Sequence, residues 1–342
     1  MTLSLTVRHE AMPLAEPFRI SGYLFEAMPA IVVTLSDGTH EGRGEAAGVY
    51  YLGDDPAHMA AAIERVRPAI EAGIDREALR ALLPAGGARN AIDCALWELE
   101  SRQRATPVWR LAGVGEPRAL VTTFTIPADD VADVPRKLAP LADARAIKLK
   151  LTGDLAADVA RIRAVRALRP EVWLGVDANQ GYGAATLDPL ATVLVEAKVS
   201  LLEQPVRRGA EDELAGWRSP IPLAADESIL DLAELEARHA PFDVINIKLD
   251  KCGGLTEALA MARRVKVLGK SVMVGNMAGS TLATAPGFVL GQLCDVVDLD
   301  GPYFLADDPL AATIYRDGHI FVPDRVWGAE ATPALSDAGA KR

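Results

Sequence analysis

From residue 121 onward the sequence alternates short apolar segments with alanine-rich helical patterns, and this alternation restricts the fold more than any other feature. Eight segments have the length and residue types of strands: 121–126, 146–151, 172–177, 201–204, 223–226, 244–249, 271–275 and 296–300. Helical periodicity separates them, for example at 154–168 and 256–268. Such alternation is typical of parallel βα units. Eight units in about 180 residues predict a closed barrel rather than an open sheet.

The first third of the chain has strand patterns followed by helical ones. Apolar runs and the Asp37-Gly38 turn predict an antiparallel meander, with strands at 3–7, 30–35 and 42–46. Helical periodicity follows at 58–72, 76–83 and 88–102. We therefore predict an α+β capping domain over residues 1–115 and the barrel over 116–315. Residues 316–342 are predicted as a C-terminal segment, with a strand at 315–322 returning to the capping domain.

The composition disfavours several classes of function. Half of the 342 residues are hydrophobic, which is enough for a large core. The net charge of −11 argues against nucleic acid as a partner, because binding phosphates needs clustered positive charge. Without a basic leader or a run of about 18 apolar residues, we expect a soluble, cytoplasmic protein with no membrane partner. The widely spaced Cys94, Cys252 and Cys294 indicate buried free thiols rather than disulfides or a zinc site.

Acidic residues end three successive predicted barrel strands. Asp177 occurs in Val-Asp-Ala-Asn, Glu203 in Glu-Gln-Pro and Asp226 in Asp-Glu-Ser. The carboxyl ends of barrel strands form the active-site face, so these carboxylates are expected to converge on one point. Since no His or Cys lies in these motifs, we predict one Mg²⁺ per subunit, replaceable by Mn²⁺. The alternative is that each acid only caps the helix that follows it.

Three lysines lie in apolar barrel strands. Lys148 and Lys150 are two residues apart in one strand, so both side chains point to the same side. Helices cover the outside of a barrel, which leaves the interior mouth for these charges. On an edge strand of another fold they would be surface residues. Lys248 is four strands from Lys150 in a ring of eight, so we expect it across the barrel.

Lysines on opposite sides of a metal suit the removal and return of a proton next to a carboxylate. Such a carbon is a weak acid, so the metal must neutralise the enediolate oxygens while a lysine takes the proton. Nearby cations are expected to depress the pKa of that lysine. With a lysine on each face, the proton leaves one face and returns on the other, which inverts the centre.

Together these motifs resemble the enolase superfamily, in the subgroup named after muconate-lactonising enzymes, over nearly the whole chain. The resemblance implies a modified (β/α)8 barrel, of the (β/α)7β type, with an α+β capping domain. Asp298 and Asp300, after the eighth strand, resemble the acidic pair of dipeptide epimerases. The runs 83–91 and 248–258 are similar to bacterial L-Ala-D/L-Glu epimerases in particular. By this resemblance the chain is an isomerase.

The same resemblance implies roles for the site residues. The carboxylate of a small L-Ala-X-type dipeptide would chelate the metal. Lys150 and Lys248 would be the two acid/base groups, and Lys148 would help to stabilise the enediolate. Asp298, with Asp300, would hold the α-ammonium group of the dipeptide. A symmetric homo-oligomer and a role in peptidoglycan peptide metabolism are also implied.

The cap loop at 18–29 departs from the glutamate-specific members of the family. Those members supply an arginine near the middle of the loop, whereas this chain has Gly-Tyr-Leu-Phe-Glu there and its basic residue, Arg19, lies near the preceding strand. Without that arginine an acidic side chain would be unpaired. We therefore predict a non-acidic second residue, unless the loop aromatics only pack against the barrel. The further residues expected to bind substrate are Tyr23, Leu24, Phe25 and Asn179.

Two alternative functions use many of the same residues. A muconate cycloisomerase or an o-succinylbenzoate synthase-like lyase would use the metal and lysines for β-elimination. Neither of their substrates offers an ammonium group to Asp298 and Asp300. A non-catalytic, ligand-binding barrel would be expected to lack a lysine or a metal ligand, and none is missing here.

Overall fold

The computed structural model of the chain describes residues 2–20 and 22–331. These residues form an antiparallel sheet with helices, followed by an eight-stranded parallel sheet surrounded by helices. The predicted fold class, a βα barrel with an α+β capping domain, is confirmed. Part of the predicted C-terminal segment, residues 332–342, lies outside the described residues.

The capping domain is built on a three-stranded antiparallel sheet. Its strands, in spatial order, are β1 (Ser4–Ile20), β2 (Tyr23–Ser36) and β3 (Glu41–Ala46). Four helices follow: α1 (Pro56–Glu71), α2 (Arg76–Leu82), α3 (Gly87–Gln103) and α4 (Val108–Leu111). The buried faces of β2 and α3 contribute to one core, so the sheet and helices fold as a unit.

The strands β1 and β2 are much longer than the sequence indicated. Phe18 pairs with Phe25 and Ile20 with Tyr23, so the segment expected to be a loop is the tip of a long hairpin. Pro13 argues against a strand when only the sequence is considered. However, β1 is the edge of its sheet, where a residue without an N–H group is tolerated.

The two-residue strand β4 (Leu120–Val121) precedes the barrel. The barrel strands are β5 (Thr123–Ile126), β6 (Ala146–Lys150), β7 (Trp173–Asp177), β8 (Leu201–Glu203), β9 (Leu223–Ala225), β10 (Val244–Lys248), β11 (Ser271–Gly275) and β12 (Val296–Val297). They lie in chain order across one sheet, and each of the eight predicted segments contains one of them.

The helices around the barrel are α5 (Val134–Leu138), α6 (Leu155–Leu168), α7 (Ala184–Glu196), α8 (Leu232–Arg238), α9 (Leu249–Cys252), α10 (Leu255–Val267) and α11 (Thr281–Gly291). Among the described residues, no helix combines the length and apolar character required to cross a membrane. The three cysteines are free thiols; Cys94 and Cys252 are buried and Cys294 is partly buried.

Two side chains accept hydrogen bonds that link the first and last barrel strands. Thr122 lies just before β5, and Asp300 lies after β12. The backbone N–H of Leu299 donates to Thr122 Oγ1 at 3.0 Å, and the N–H of Thr125 donates to Asp300 Oδ2 at 2.7 Å. These bonds link residues 122–125 to residues 299–300. Asp300 therefore has a role in closing the barrel.

The C-terminal segment differs from its prediction. Instead of one strand at 315–322, the chain forms a hairpin of β13 (Ile314–Arg316) and β14 (His319–Phe321), and β14 pairs with β4. Asp317 and Gly318 have φ values of 51° and 72°, which is the left-handed backbone of a tight hairpin turn. This turn reverses the chain, so the prediction of one strand reaching the capping domain was wrong.

A short segment after this hairpin makes the contact with the capping domain. Arg43 Nη2 donates to the carbonyl oxygen of Val326 at 2.7 Å, and the N–H of Gly328 donates to Glu98 Oε1 at 3.3 Å. Arg43 also forms an ion pair with Glu98 at 2.7 Å. The fully buried Glu98 carboxylate thus fixes the end of the described chain to α3.

Three buried carboxylates connect the capping domain to the barrel. The contacts are Ser280 N to Glu45 Oε1 at 2.8 Å, Gly48 N to Asp250 Oδ1 at 2.9 Å, and Thr256 N to Asp93 Oδ2 at 3.0 Å. Burial raises the pKa of Glu45 to about 7 and the pKa values of Asp93 and Asp250 to about 6. The interface therefore contains acids that bind protons more readily in the folded state than in the unfolded one.

Glu45→Gln is expected to flatten the pH dependence of stability. Because the folded pKa of Glu45 is raised, its favourable contribution is fully present below about pH 4.5 and is lost as the pH rises through about 7. The difference in unfolding free energy between wild type and variant should fall by up to ~3 kcal/mol over that range. Denaturant unfolding from pH 4.5 to 8 measures it, with the exposed Glu41→Gln in the same strand as control. Parallel pH profiles for wild type and Glu45→Gln would contradict this assignment.

Candidate active site

The carboxyl ends of five adjacent barrel strands bring the predicted catalytic and metal-binding residues together. In the parallel register Lys150 lies beside Asp177, and Asp177 lies beside Glu203. Asp226 directly follows β9, and Lys248 is the last residue of β10. Because neighbouring parallel strands end at the same edge, these charged side chains meet at one mouth of the barrel.

The alternation within β6 explains why two lysines occur in a buried strand. Ile147 and Leu149 are completely buried and belong to the large hydrophobic core. Lys148 and Lys150, on the opposite face, are only 3% and 8% exposed and contact carboxylates. The period of two in a strand therefore separates an apolar face from a charged one.

Asp177, Glu203 and Asp226 form a buried triad. Each can offer a carboxylate oxygen that lies within 4.8 Å of those of the other two. The alternative role as helix caps is not supported, because α7 has Gly183 as its N-cap and α8 has Asp231. Three buried carboxylates that converge in this way could hold a metal ion, and hard divalent cations prefer such oxygen ligands.

Two lysines contact different members of this triad. Lys150 Nζ lies 2.6 Å from Asp177 Oδ2, and Lys248 Nζ lies 2.6 Å from Asp226 Oδ2. Burial opposes the charge of Lys248, but the adjacent Asp226 carboxylate outweighs it and raises the pKa of Lys248. Among the described residues, a carboxylate rather than a cation is thus the immediate neighbour of Lys248.

The acids of the triad have unequal affinities for protons. Burial and the charge of Asp177 raise the pKa of Glu203 to about 7. Burial acts in the same direction on Asp177, but Lys150 and Lys148 outweigh it and lower the pKa of Asp177. Lys248 and Lys251 likewise overcome burial and lower the pKa of Asp226. The lysines therefore keep two of the three carboxylates ionised.

Lys148 connects the triad to the acidic pair after the eighth strand. Its Nζ contacts Asp298 Oδ2 and lies 3.4 Å from Glu203 Oε2. Asp298 Oδ1 also accepts a hydrogen bond from Thr123 Oγ1 at 2.5 Å. Burial and the neighbouring Asp298 raise the pKa of Asp300 to about 7. Asp298 thus belongs to the charged cluster of the barrel mouth, whereas Asp300 lies where the barrel closes.

Lys251 was not singled out in the sequence, although it holds a triad member in place. Its completely buried Nζ donates to Asp226 Oδ1 at 2.6 Å and to the carbonyl oxygen of Asn246 at 2.9 Å. It also donates to the carbonyl oxygens of Asp226 and Ile229. A lysine three residues after Lys248, directly before Cys-Gly-Gly, was the available signal. Lys251 is a positioning residue for Asp226.

Lys251→Met is expected to weaken Mg²⁺ binding about 10- to 100-fold, as loss of an outer partner of a metal ligand typically does. Methionine retains the length of the side chain but leaves Asp226 Oδ1 without this donor. Titration calorimetry on the free protein measures the effect. Lys251→Arg, which keeps the charge, should lose less affinity than Lys251→Met. Equal affinities in wild type and Lys251→Met would show that Lys251 does not position the ligand.

A cavity of about 110 Å³ lies between the hairpin tip of the capping domain and the barrel mouth. Lys150, Asp226 and Lys248 line it on the barrel side, together with Asn179, whose backbone N–H donates to Asp177 Oδ1 at 2.9 Å. The capping domain supplies a mainly apolar and aromatic wall that includes Phe18, Ile20, Phe25, Met28, Tyr50 and Tyr51. This cavity brings the charged groups of the barrel mouth and an apolar wall together.

The predicted specificity residues at the hairpin tip differ in whether they line the cavity. Phe25 lines the cavity, but Tyr23 and Leu24 are 45% and 50% exposed and are not part of its lining. Tyr23 instead packs against Tyr50, with ring centroids 4.7 Å apart. Successive side chains of a strand point to opposite faces, so Phe25 can line the cavity while Leu24 points to the other face of the hairpin. The side chain of Arg19 is half-exposed, and its Nε lies 3.8 Å from Asp129 Oδ1.

The chain matches two family models that together cover most of its length. Residues 2–113 match the N-terminal domain of mandelate racemase and muconate lactonizing enzyme. Residues 133–328 match the enolase C-terminal domain-like family. The two matched regions correspond to the capping domain and to most of the barrel, and the second contains the triad, the four lysines of the barrel mouth and the acidic pair after the eighth strand.

Named relatives and a solved structure extend this similarity. The L-Ala-D/L-Glu epimerase of Escherichia coli is 34% identical over 93% of this chain and 99% of its own length. The hydrophobic dipeptide epimerase of Roseobacter litoralis is 33% identical over 88% of this chain and 91% of its own. The dipeptide epimerase of Methylococcus capsulatus, solved with Mg and L-Arg-D-Lys, has a TM-score of 0.87 and 30% identity, covering 94% of this chain and 97% of its own.

Proposed function

The chain belongs to the enolase superfamily, in the group of mandelate racemase and muconate lactonizing enzyme, and from this premise we propose that it is a dipeptide epimerase. Its named relatives are epimerases, and the chain is an isomerase. The proposed reaction inverts the α-carbon of the C-terminal residue of an L-Ala-X-type dipeptide. The observation that carries the proposal is the buried triad with Lys150 on one of its members and Lys248 on another.

The proposed cofactor is Mg²⁺, held by Asp177, Glu203 and Asp226. These residues fit the ion because they are acidic, buried and close enough to share it. The Methylococcus capsulatus relative was solved with Mg, which supports the same choice here. When bound, the ion supplies positive charge next to the substrate carboxylate and so favours loss of the neighbouring proton.

The two lysines carry out the proposed proton transfers. One of them, as a neutral amine, takes the α-proton from one face of the substrate and becomes an ammonium. The electron pair of the broken C–H bond passes into the carboxylate as an enediolate. The other lysine, as an ammonium, then gives a proton to the opposite face. Lys148, fixed by Asp298 and near Glu203, would place a third positive charge beside the developing negative charge.

Asp298, with Asp300, is proposed to bind the α-ammonium group of the dipeptide. Neither residue lines the cavity, and both carboxylates already accept hydrogen bonds from the protein. A carboxylate oxygen can accept more than one hydrogen bond, so the existing bonds do not prevent this role. They would instead hold the carboxylates in place for the ligand.

We further propose that the second residue of the substrate is non-acidic. Phe18, Phe25 and Met28 give the cavity an apolar wall on the side of the capping domain. Among the described residues that line the cavity, the cationic side chains are Lys150 and Lys248, which the proposed chemistry already uses. An acidic side chain would therefore lose its hydration without gaining a partner. The name of the Roseobacter litoralis relative is consistent with this preference.

The test is deuterium exchange with a library of L,L-dipeptides. The protein, with Mg²⁺ in deuterium oxide, should introduce deuterium at the C-terminal α-carbon, and mass spectrometry detects it. Exchange should stop on addition of a chelator and should be faster for Ala-Phe and Ala-Leu than for Ala-Glu. Comparable rates for all three would remove the proposed specificity. No exchange with any dipeptide, while metal is bound, would favour the cycloisomerase or lyase.

A further inference from the structure

The active-site cavity contains buried oxygen atoms that have no hydrogen-bond partner among the described residues. They are Glu227 Oε2, Asn179 Oδ1 and the hydroxyl oxygen of Tyr51. All three residues line the cavity, and Glu227 is only 2% exposed. Buried polar atoms in folded proteins almost always have a partner. The partner of these oxygens is therefore expected to come from a bound group.

The contacts around Glu227 determine which atom of the Asn179 amide faces it and which remains without a partner. Asn179 Nδ2 lies 3.4 Å from Glu227 Oε1, so the amide nitrogen faces the carboxylate and Oδ1 is directed elsewhere. The reverse orientation would place two oxygens against each other. Arg208 does not neutralise the Glu227 side chain, because its Nη1 donates to the backbone oxygen of Glu227 and to Glu234 Oε2, at 2.8 and 2.9 Å.

The position of Glu227 connects these acceptors to the metal-binding triad. It directly follows Asp226 in the chain, and the charges of Asp226 and Asp177 both act on it. Its Oε1 already faces Asn179 Nδ2, so Oε2 is the carboxylate oxygen left for a further partner. The negative surroundings would attract any group that presents N–H or O–H bonds to this part of the cavity.

We propose that Glu227 and Asn179, assisted by the hydroxyl of Tyr51, form an acceptor subsite for a group that donates two hydrogen bonds beside the metal triad. Two ligands have this chemistry. One is a water molecule that also contacts the metal ion, and the other is the amide or ammonium group of the substrate's second side chain. The second source rests on the proposed dipeptide epimerase function, whereas the first requires only metal binding.

Glu227→Gln tests the subsite with almost no change of shape. Its amide oxygen can still accept from Asn179 Nδ2, so the NH2 group takes the place of Oε2 and turns an acceptor into a donor. Calorimetry measures Mg²⁺ affinity without dipeptide. Deuterium exchange measures kcat/KM for L-Ala-L-Gln and its near-isostere L-Ala-L-Met. Glu171→Gln, exposed at the other end of the barrel, is the control, and circular dichroism reports folding.

Each result identifies one source or rejects the subsite. A loss of Mg²⁺ affinity of about 10-fold, with the two dipeptides affected equally, would identify the water. Unchanged Mg²⁺ affinity with a selective loss of about 10-fold for L-Ala-L-Gln would identify the substrate side chain. If Glu227→Gln changes neither measurement, the subsite does not exist. Wild-type protein that binds Mg²⁺ but exchanges no dipeptide would contradict the epimerase proposal alone, and calorimetry would still test the subsite.

Discussion

Lys150→Ala and Lys248→Ala are each expected to lower epimerisation by about 10²- to 10⁴-fold, the range for loss of a general acid or base. Their Nζ atoms each lie 2.6 Å from a different carboxylate of the triad, so one lysine cannot take the position of the other. Each variant should retain one of the two proton transfers. It should therefore exchange the α-proton of one stereoisomer with deuterium oxide without inverting it. Chiral chromatography with mass spectrometry separates exchange from inversion.

The matched control for these variants is Lys270→Ala. Lys270 is also a barrel lysine, but it precedes β11 at the opposite end, where its Nζ donates to the carbonyl oxygen of Phe242. Turnover should be unchanged in this variant. Calorimetry should show that both active-site variants still bind Mg²⁺, because all three carboxylates of the triad remain in place. Undiminished turnover in Lys150→Ala and Lys248→Ala would end the two-base mechanism.

Glu203→Gln is expected to weaken Mg²⁺ binding by more than about 100-fold, beyond the loss typical of an outer partner, and to abolish epimerisation. The change keeps the shape of the side chain but replaces one of the three carboxyl groups that converge at the barrel mouth with an amide that cannot ionise. Asn246 Nδ2 donates to Glu203 Oε1 at 2.7 Å, and the amide oxygen of glutamine can still accept this bond. The loss should therefore come from the charge. Calorimetry and the deuterium assay measure the two effects.

Glu196→Gln is the control, since Glu196 ends α7 and its side chain is 59% exposed. In wild-type protein, a chelator should abolish epimerisation as Glu203→Gln does. Added Mg²⁺ or Mn²⁺ should restore epimerisation by the chelator-treated wild type. Metal affinity within a few-fold of wild type in Glu203→Gln would exclude Glu203 as a ligand. Full activity in the presence of the chelator would exclude the metal from the reaction.

The barrel could be predicted because its strands are buried on both faces. Their residues are mostly apolar, and segments with helical periodicity separate the strands at regular intervals, so all eight predicted segments contain strands of the structure. The hairpin of the capping domain gave a weaker signal. Pro13 concealed the continuous strand from Ser4 to Ile20, and only its pairing with β2 shows that this part of the chain is extended.

The candidate site was predictable where its residues end successive barrel strands. Asp177 and Glu203 could be selected because the topology of a parallel barrel brings strand ends together. Lys251 lies within a short helix after β10, and its role depends on contacts with Asp226 and with backbone oxygens. No periodic pattern distinguishes it from a surface lysine. Phe25 lines the cavity and its neighbour Leu24 does not. This difference likewise depends on which face of the hairpin meets the barrel.

The sequence by itself determined the order of elements, the face of each barrel strand and the set of acids and lysines at one mouth. These properties depend on the spacing of residues that are near in the chain. Only the tertiary structure decided which charges pair, as Lys148 with Asp298, 150 positions away, and which oxygens are buried without a donor. Hydrogen bonds and charge interactions depend on distances of a few ångströms in space, and the spacing of residues along the chain does not specify those distances.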